Sequence, residues 1–425
     1  MITHVLKAGK KWGGKVAFSV ADQTILSGSN FALNILLARW LSPEEYGVFA
    51  LAFTVFTFVF GFHNALILEP MSVLGSTRFS ERFPQYLGNL IWLHIALTGG
   101  IAVLIAFAAS VCQGQTFSNA LWAIALAIPF ILLFWLFRQA YYLQSKPTWS
   151  VLSSLIYAAV LFSGLVILSQ RQWLSGFSAF LVMGIASAIA SSLGWFLLEI
   201  RLNRVLPASP DSELAQIGYQ HWGYGKWVVG SNLLFWLSNG IFLPLAGIFA
   251  GLEQVGALRA LQNLTLPMDQ MLTVMSMLLL PWASKQRQSQ GTKHLEKVTW
   301  AIALIFTSVS SIYIFSILFA GQEIVTLLYG QKQYTSYLWL IPFLAATFAL
   351  SAVSQGLAIG LRAAERPNDM FKIRCWGTLV TLTVGVYFAS IWGLYGIAIA
   401  MVLNGLIGTL AAVKYVWQTF RGKTK

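Results

Sequence analysis

Twelve apolar runs, each long enough to cross a membrane as a helix, follow one another along this 425-residue chain with only short loops between them. They lie near 17–38, 46–68, 87–110, 119–137, 149–169, 174–198, 226–250, 255–281, 298–320, 335–360, 373–391 and 393–416. A helix needs about 20 mostly apolar residues to span the hydrocarbon, and only helices or closed barrels satisfy their backbone there. The runs are continuous rather than alternating, which argues against a barrel. Charged residues make up 10% of the chain and the mean hydropathy is +0.70, against about 25% charged residues in a soluble chain. The expected fold is therefore an all-α polytopic membrane protein.

The basic residues give an orientation. With the N-terminus inside, twenty-three of the 27 Lys and Arg residues fall on inner segments, and only Arg39, Arg171, Arg259 and Lys332 fall on outer ones. Lys and Arg accumulate on the cytoplasmic side because carrying them across the bilayer during insertion is unfavourable. Both termini are expected in the cytoplasm. The +13 net charge is read as this topology signal rather than as nucleic-acid binding, since the basic residues are spread over seven inner segments. Interfacial tryptophans agree: Trp40, Trp173 and Trp392 stand at outer ends of runs, and Trp12, Trp149, Trp282, Trp300, Trp376 and Trp417 at inner ends.

Residues 1–16 are basic and partly amphipathic, with Lys7, Lys10, Lys11 and Lys15, and are expected to lie on the inner surface. No small-residue cleavage site follows a short apolar core there. Cys112 and Cys375 are expected at opposite faces and so unable to pair, and no metal motif is present.

The longest stretch between runs, 200–221, carries Pro207, Pro210, Asp211 and Glu213. It divides the chain into six-helix halves, 17–199 and 222–418, followed by a basic tail at 419–425. Four landmarks recur in order. Gly28-Ser29-Asn30 returns as Gly230-Ser231-Asn232, and the turn Leu41-Ser42-Pro43-Glu44-Glu45-Tyr46-Gly47 parallels Ala250-Gly251-Leu252-Glu253-Gln254-Val255-Gly256. Pro70 and Pro281 end the second and eighth runs, and Arg138 with Pro147 parallels Arg362 with Pro367. Both halves start on the same side, so the repeat is parallel, an arrangement expected to leave a cavity between the halves.

Polar residues inside the runs mark candidate sites, because unsatisfied polar groups are unfavourable in hydrocarbon. The first run carries Gln23, Ser27, Asn30 and Asn34 on one helical face, with Asp22 beside them. The seventh carries Asn232 and Asn239, with Trp236 between. The eighth carries Arg259, Gln262 and Asp269 on one face, Asn263 and Gln270 alongside, and Pro267 in the middle. Arg39 caps the first run at the outer face. For each, a packing account competes with a functional one: small polar residues also join membrane helices, and an Arg near a helix end can snorkel to the surface. Asp269, nearly three turns from Arg259, is expected to find a partner on another helix or a proton. His63, Asn64 and Glu69 at the end of the second run are read as a packed histidine and a solvated boundary. Runs three, five, nine and eleven have few strong polar groups and are expected to face lipid.

The opening segment, Asp22-Gln23, Ser29-Asn30-Phe31 and Leu37-Ala38-Arg39-Trp40-Leu41-Ser42-Pro43-Glu44-Glu45-Tyr46-Gly47, resembles that of bacterial polysaccharide flippases of the multidrug/oligosaccharidyl-lipid/polysaccharide (MOP) exporter superfamily. The resemblance implies two pseudo-symmetric six-helix bundles, with runs 1, 2, 7 and 8 around a central cavity. It implies a multi-pass protein of the bacterial inner membrane that moves an undecaprenyl-diphosphate-linked oligosaccharide from inner to outer leaflet by alternating access, for O-antigen, capsule or exopolysaccharide assembly. Partners would be that substrate, membrane lipid and other polysaccharide-assembly proteins, with no nucleic acid. By this resemblance Gln23, Asn30, Asn34, Asn232, Trp236, Asn239, Arg259, Gln262, Asn263 and Arg39 would line the cavity, and Arg259 and Arg39 would meet the diphosphate. Asp22 and Asp269 would couple transport to H+ or Na+, with no other cofactor.

Two alternatives stand beside this. An ion-coupled exporter of small amphipathic cations predicts a cavity dominated by acids, and only Asp269 clearly fits. A membrane-embedded glycan polymerase or ligase would need a sizeable outer loop with catalytic Arg or His. The chain is expected not to be an enzyme; no phosphate-binding Gly-rich loop ending in Lys-Ser/Thr is present.

Overall fold

The structure, a computed structural model, describes residues 2–112, 114–200, 213–330 and 333–421, with side chains from residue 17 onward. The basic side chains of the first sixteen residues, most of the expected linker and the last four residues of the tail lie outside the described set.

Every regular element among the described residues is helical. In chain order they are α1 (Ile2–Trp40), α2 (Pro43–His63), α3 (Glu69–Leu74), α4 (Phe83–Val111), α5 (Gln115–Leu143), α6 (Pro147–Gln170) and α7 (Gly176–Leu197). Then come α8 (Glu213–Phe235), α9 (Phe242–Phe249), α10 (Leu252–Gln262), α11 (Leu266–Tyr329), α12 (Leu340–Ala363), α13 (Pro367–Val380) and α14 (Val386–Arg421). Among the described residues eight helices are long and apolar enough to cross a membrane, or nine if the pair bent by 45° at Ile241 is one span. The sequence counted twelve runs. Part of the difference is continuity. At 1.5 Å per residue, the 64 residues of α11 would reach roughly 96 Å, about three times the hydrocarbon thickness. The helix breaks at Gly291 (φ 79°, ψ −178°), between the eighth and ninth runs. Likewise α14 breaks at Gly393 (φ 54°), between the eleventh and twelfth. Positive φ at a sharp turn is where glycine has no Cβ penalty. Helix α1, with its polar face, is not among the spans that apolarity alone selects.

Local chemistry explains several boundaries. Ser42 caps α2, its Oγ accepting from the Glu45 N–H at 3.2 Å. Pro43 follows as the first helical residue, and Glu44 and Glu45 face the positive helix end. Ser175 and Ser178 form a reciprocal capping box at the start of α7. Helix α5 runs on to Leu143, past the expected end at 137, so Arg138 is a helical, buried residue and not a loop charge.

The chain packs as two compact units, Met1–Leu33 with Ala52–Asn232, and Asn34–Leu51 with Leu233–Lys425. The first is organised around Leu68, Met71, Tyr86, Leu87, Phe137 and Tyr141, the second around Leu272, Leu295, Phe306, Phe348 and Ala352. Apolar faces are left open: Val103, Leu104 and Phe107 of α4 are each 68% exposed, and Ile312 and Phe319 of α11 are each 73% exposed. These are the third and ninth runs, expected to face lipid. One of the few polar groups of the third run, His94, is buried on α4.

Candidate functional site

In the first unit, Asp22 of α1 is fully buried. Its Oδ2 receives the Arg138 guanidinium at 2.5 Å, the Tyr142 hydroxyl, and Ser150 Oγ at 2.8 Å. Its Oδ1 receives Ser154 Oγ at 2.5 Å. Arg138 and Tyr142 are one turn apart on α5, and Ser150 and Ser154 one turn apart on α6, so each pair projects from one helical face. Two helices thus clasp one carboxylate. The Arg138 guanidinium also lies over the Trp135 ring, 4.7 Å from its centroid. Both members of the pair are desolvated, which charged groups tolerate only when paired and hydrogen-bonded.

A second buried group links α2 to α4 and α5. His63 Nε2 lies 3.0 Å from His94 Nδ1, and His94 Nε2 lies 3.1 Å from the Pro129 carbonyl. That carbonyl can only accept, so His94 carries its proton on Nε2 and accepts from His63 on Nδ1. His63 is thus the packed histidine the sequence suggested. The π-helical turn Asn64–Leu68 follows it. His221 Nδ1 donates to the Leu66 carbonyl of this turn (2.8 Å), and Asn232 Nδ2 donates to the Gly61 carbonyl (3.1 Å). Asn232 therefore joins two helices.

In the second unit, Tyr46 is the centre of a buried knot. Its hydroxyl donates to Asn34 Oδ1 (3.3 Å) and accepts from Asn263 Nδ2 (2.9 Å) and from Arg259. One donated and two accepted bonds are the full capacity of a hydroxyl. Asn34, Asn263 and Arg259, all expected at the site, meet here, and Tyr46 is the residue that joins them. Below the knot the eighth run is interrupted by a 3-10 turn, Asn263–Thr265. The single face proposed for Arg259, Gln262 and Asp269 therefore does not run straight through, because the turn changes the angular step between them. Tyr313 donates to the Leu264 carbonyl of this turn (2.6 Å). Asp269 takes a hydrogen bond from Gln355 of α12, a partner on another helix.

The two turns that the sequence repeat matches meet in the same unit. A Cβ on Gly47 would stand 1.9 Å from the Leu252 carbonyl oxygen, and one on Gly256 would stand 2.0 Å from the Pro43 carbonyl oxygen. The two contacts are reciprocal, and they pair the residues that the repeat alignment matched.

The π-helical turn Trp236–Gly240 bends the seventh run. Its freed carbonyls are captured within the second unit: Leu234 by Thr378 Oγ1 (3.0 Å), and Ser238 by Thr381 Oγ1 (3.2 Å) and Asn404 Nδ2 (2.9 Å). Asn239 is exposed and donates to the Phe235 carbonyl one turn back (3.2 Å) and to Ser238 Oγ (2.8 Å). Gln23 and Arg39 are exposed, Gln23 bonding Ser27 one turn along α1. Asn30, Trp236 and Gln262 are half-buried. Sequence reasoning missed Tyr142, Ser150, Ser154, Tyr46 and Gln355. The two i, i+4 pairs next to a membrane carboxylate in need of a counter-charge were the available signal.

Residues 36–306 match the family model described as "Polysaccharide biosynthesis protein". No curated protein matches the chain. Among solved structures, a multidrug resistance MATE family transporter of the MOP superfamily in its inward-facing conformation aligns with TM-score 0.76 at 14% identity, covering 95% of this chain and 96% of that one. The lipid II flippase MurJ in an inward closed conformation aligns with TM-score 0.69 at 16% identity, covering 94% and 87%. A MOP superfamily transporter from Pyrococcus furiosus aligns with TM-score 0.57 at 14% identity, covering 95% and 96%.

Proposed function

The chain belongs to this polysaccharide biosynthesis family, and on that premise we propose that it is a flippase carrying a lipid-linked oligosaccharide, on undecaprenyl diphosphate, across the bacterial inner membrane. The observation that carries the reading is the family match over most of the chain, joined to a multi-pass MOP fold shared with a lipid flippase. Physical chemistry supports it. A glycan is too polar for hydrocarbon, whereas its polyprenyl tail is at home there, so the protein needs only a polar path for the head group. The exposed Gln23 and Asn239, the half-buried Asn30 and the half-buried Arg259 are polar side chains in otherwise apolar runs. In this reading they serve that path, and Arg259 attracts the diphosphate. Alternating access, rather than a standing pore, keeps ions from leaking.

Deletion in the native host is expected to accumulate the lipid-linked glycan on the inner leaflet. In proteoliposomes, the protein should make a fluorescent undecaprenyl-diphosphate glycan accessible to a membrane-impermeant lectin on the opposite face. Lectin access no faster than in protein-free vesicles would remove the assignment. Arg259→Ala should slow this movement at least tenfold with protein levels intact; an unchanged rate would take Arg259 out of the path.

A further inference from the structure

The Asp22 cluster in the first unit has the donor set of an ion site. Both carboxylate oxygens, the hydroxyls of Ser150 and Ser154, and the phenol of Tyr142 are gathered by α1, α5 and α6. Carboxylate and hydroxyl oxygens are what hard cations take as ligands, and a carboxylate among hydroxyls is equally a place for a proton. Yet a cation is already there. Arg138 Nη2 lies 2.5 Å from Asp22 Oδ2, with 5% and 0% of the two side chains exposed. The guanidinium is held from behind by Trp135 at 4.7 Å and Phe134 at 6.0 Å. Its buried Nε makes no hydrogen bond, so among the described residues the charge is held by Asp22 and these rings. Among the described residues, the charged or titratable groups acting on Asp22 are Arg138 and Tyr142, both from α5; α1 and α6 add no other charge.

We propose that this is a monovalent-cation site permanently filled by the chain's own arginine. Arg138 is a tethered substitute for a travelling ion, and the first unit exchanges neither sodium nor protons. The meaning of this for transport rests on the flippase reading; the filled site does not. It follows that any ion dependence of transport arises elsewhere, and that emptying the site should create at Asp22 an ion response beyond any that the native protein has.

The test is thermal unfolding of the purified full chain in detergent, with NaCl exchanged for choline chloride at constant ionic strength, and with pH varied between 5 and 8. The wild-type midpoint in sodium, in choline and across this pH range sets the baseline. Arg138→Met should unfold earlier in choline and recover in sodium or at low pH by about 5 °C more than wild type does, as ligand linkage requires. Asp22→Asn combined with Arg138→Met, which removes both charges, should show no such recovery. If Arg138→Met folds and responds to sodium and protons no more than wild type does, the proposal is overturned. Should that variant fail to fold, infrared difference spectra of wild type against Asp22→Asn between pH 5 and 8 decide the matter. No protonated-carboxyl band is expected from Asp22, and one that appears in wild type alone would overturn the proposal. None of these readings depends on glycan movement, so a failed flippase assay and a failed ion assay are distinguishable.

Discussion

At the scale of single residues, polar groups here are satisfied in clusters rather than singly. Tyr46 illustrates the energetics. Its hydroxyl uses both lone pairs and its proton on Asn34, Asn263 and Arg259, and all but Arg259 are buried. Tyr46→Phe keeps the ring and leaves two amides facing one another without it. Stranding buried donors and acceptors costs about 1–3 kcal/mol, so a loss of that size is expected in chemical unfolding; a loss under about 0.5 kcal/mol would mean that the amides re-pair. The same reasoning explains Asp22. In the sequence it is an acid inside an apolar run, open to a coupling role. In the fold it is neutralised by a partner 116 residues away, and removing either member of such a pair typically costs about 3–5 kcal/mol.

At the scale of elements, the helices are joined where their backbones are irregular. π-helical turns interrupt three helical runs, at Asn64–Leu68, Trp236–Gly240 and Thr381–Gly385, and each such turn offsets backbone bonding and frees carbonyls to side chains. The Ser238 carbonyl is taken by both Thr381 and Asn404. Thr381→Val and Asn404→Leu should each cost only about 0.5–1.5 kcal/mol, since the other donor remains, and together more than their sum. Strict additivity in a double-mutant cycle would show that the carbonyl is not shared. The two matched turns are joined instead by absence of side chains. Gly256→Ala would set a Cβ 2.0 Å from the Pro43 carbonyl oxygen, a backbone atom with no flexible end to swing aside. About 1–3 kcal/mol of destabilisation is expected from such overpacking. Adding Gly47→Ala should bring little further loss, because both act at one crossing; a doubled loss would deny that the crossing is shared.

At the scale of the whole molecule, the protein is a multi-pass member of a polysaccharide biosynthesis family, its regular elements all helical among the described residues, with a fold like that of a multidrug resistance MATE family transporter. If Asp269, half-buried and held by one neutral partner, Gln355, couples movement to a gradient, Asp269→Asn should flatten the dependence of glycan movement on an imposed proton or sodium gradient while leaving movement without a gradient within about twofold. A slope equal to wild type would exclude Asp269 as the coupling group. Much of this level was legible in one dimension. The apolar runs and the one-sided distribution of Lys and Arg follow from the chemistry of single residues against lipid and water, which needs no knowledge of neighbours. The repeated turn motif was legible too, and its matched glycines, Gly47 and Gly256, pack against each other reciprocally. The partners of the polar residues were not. Hydrogen bonds and ion pairs depend on distances of a few ångströms between positions far apart in the chain, and helical spacing constrains only residues one turn away. Thus Arg138, counted as a loop charge, became the counter-ion of Asp22; Asn232, a candidate to line a cavity, took a carbonyl of α2; and Arg259 and Asp269, placed on one face, were offset by a single 3-10 turn. Local preference writes the list of apolar runs; which buried charge meets which is settled only when those helices pack, since burial makes each unpaired choice too unfavourable to persist.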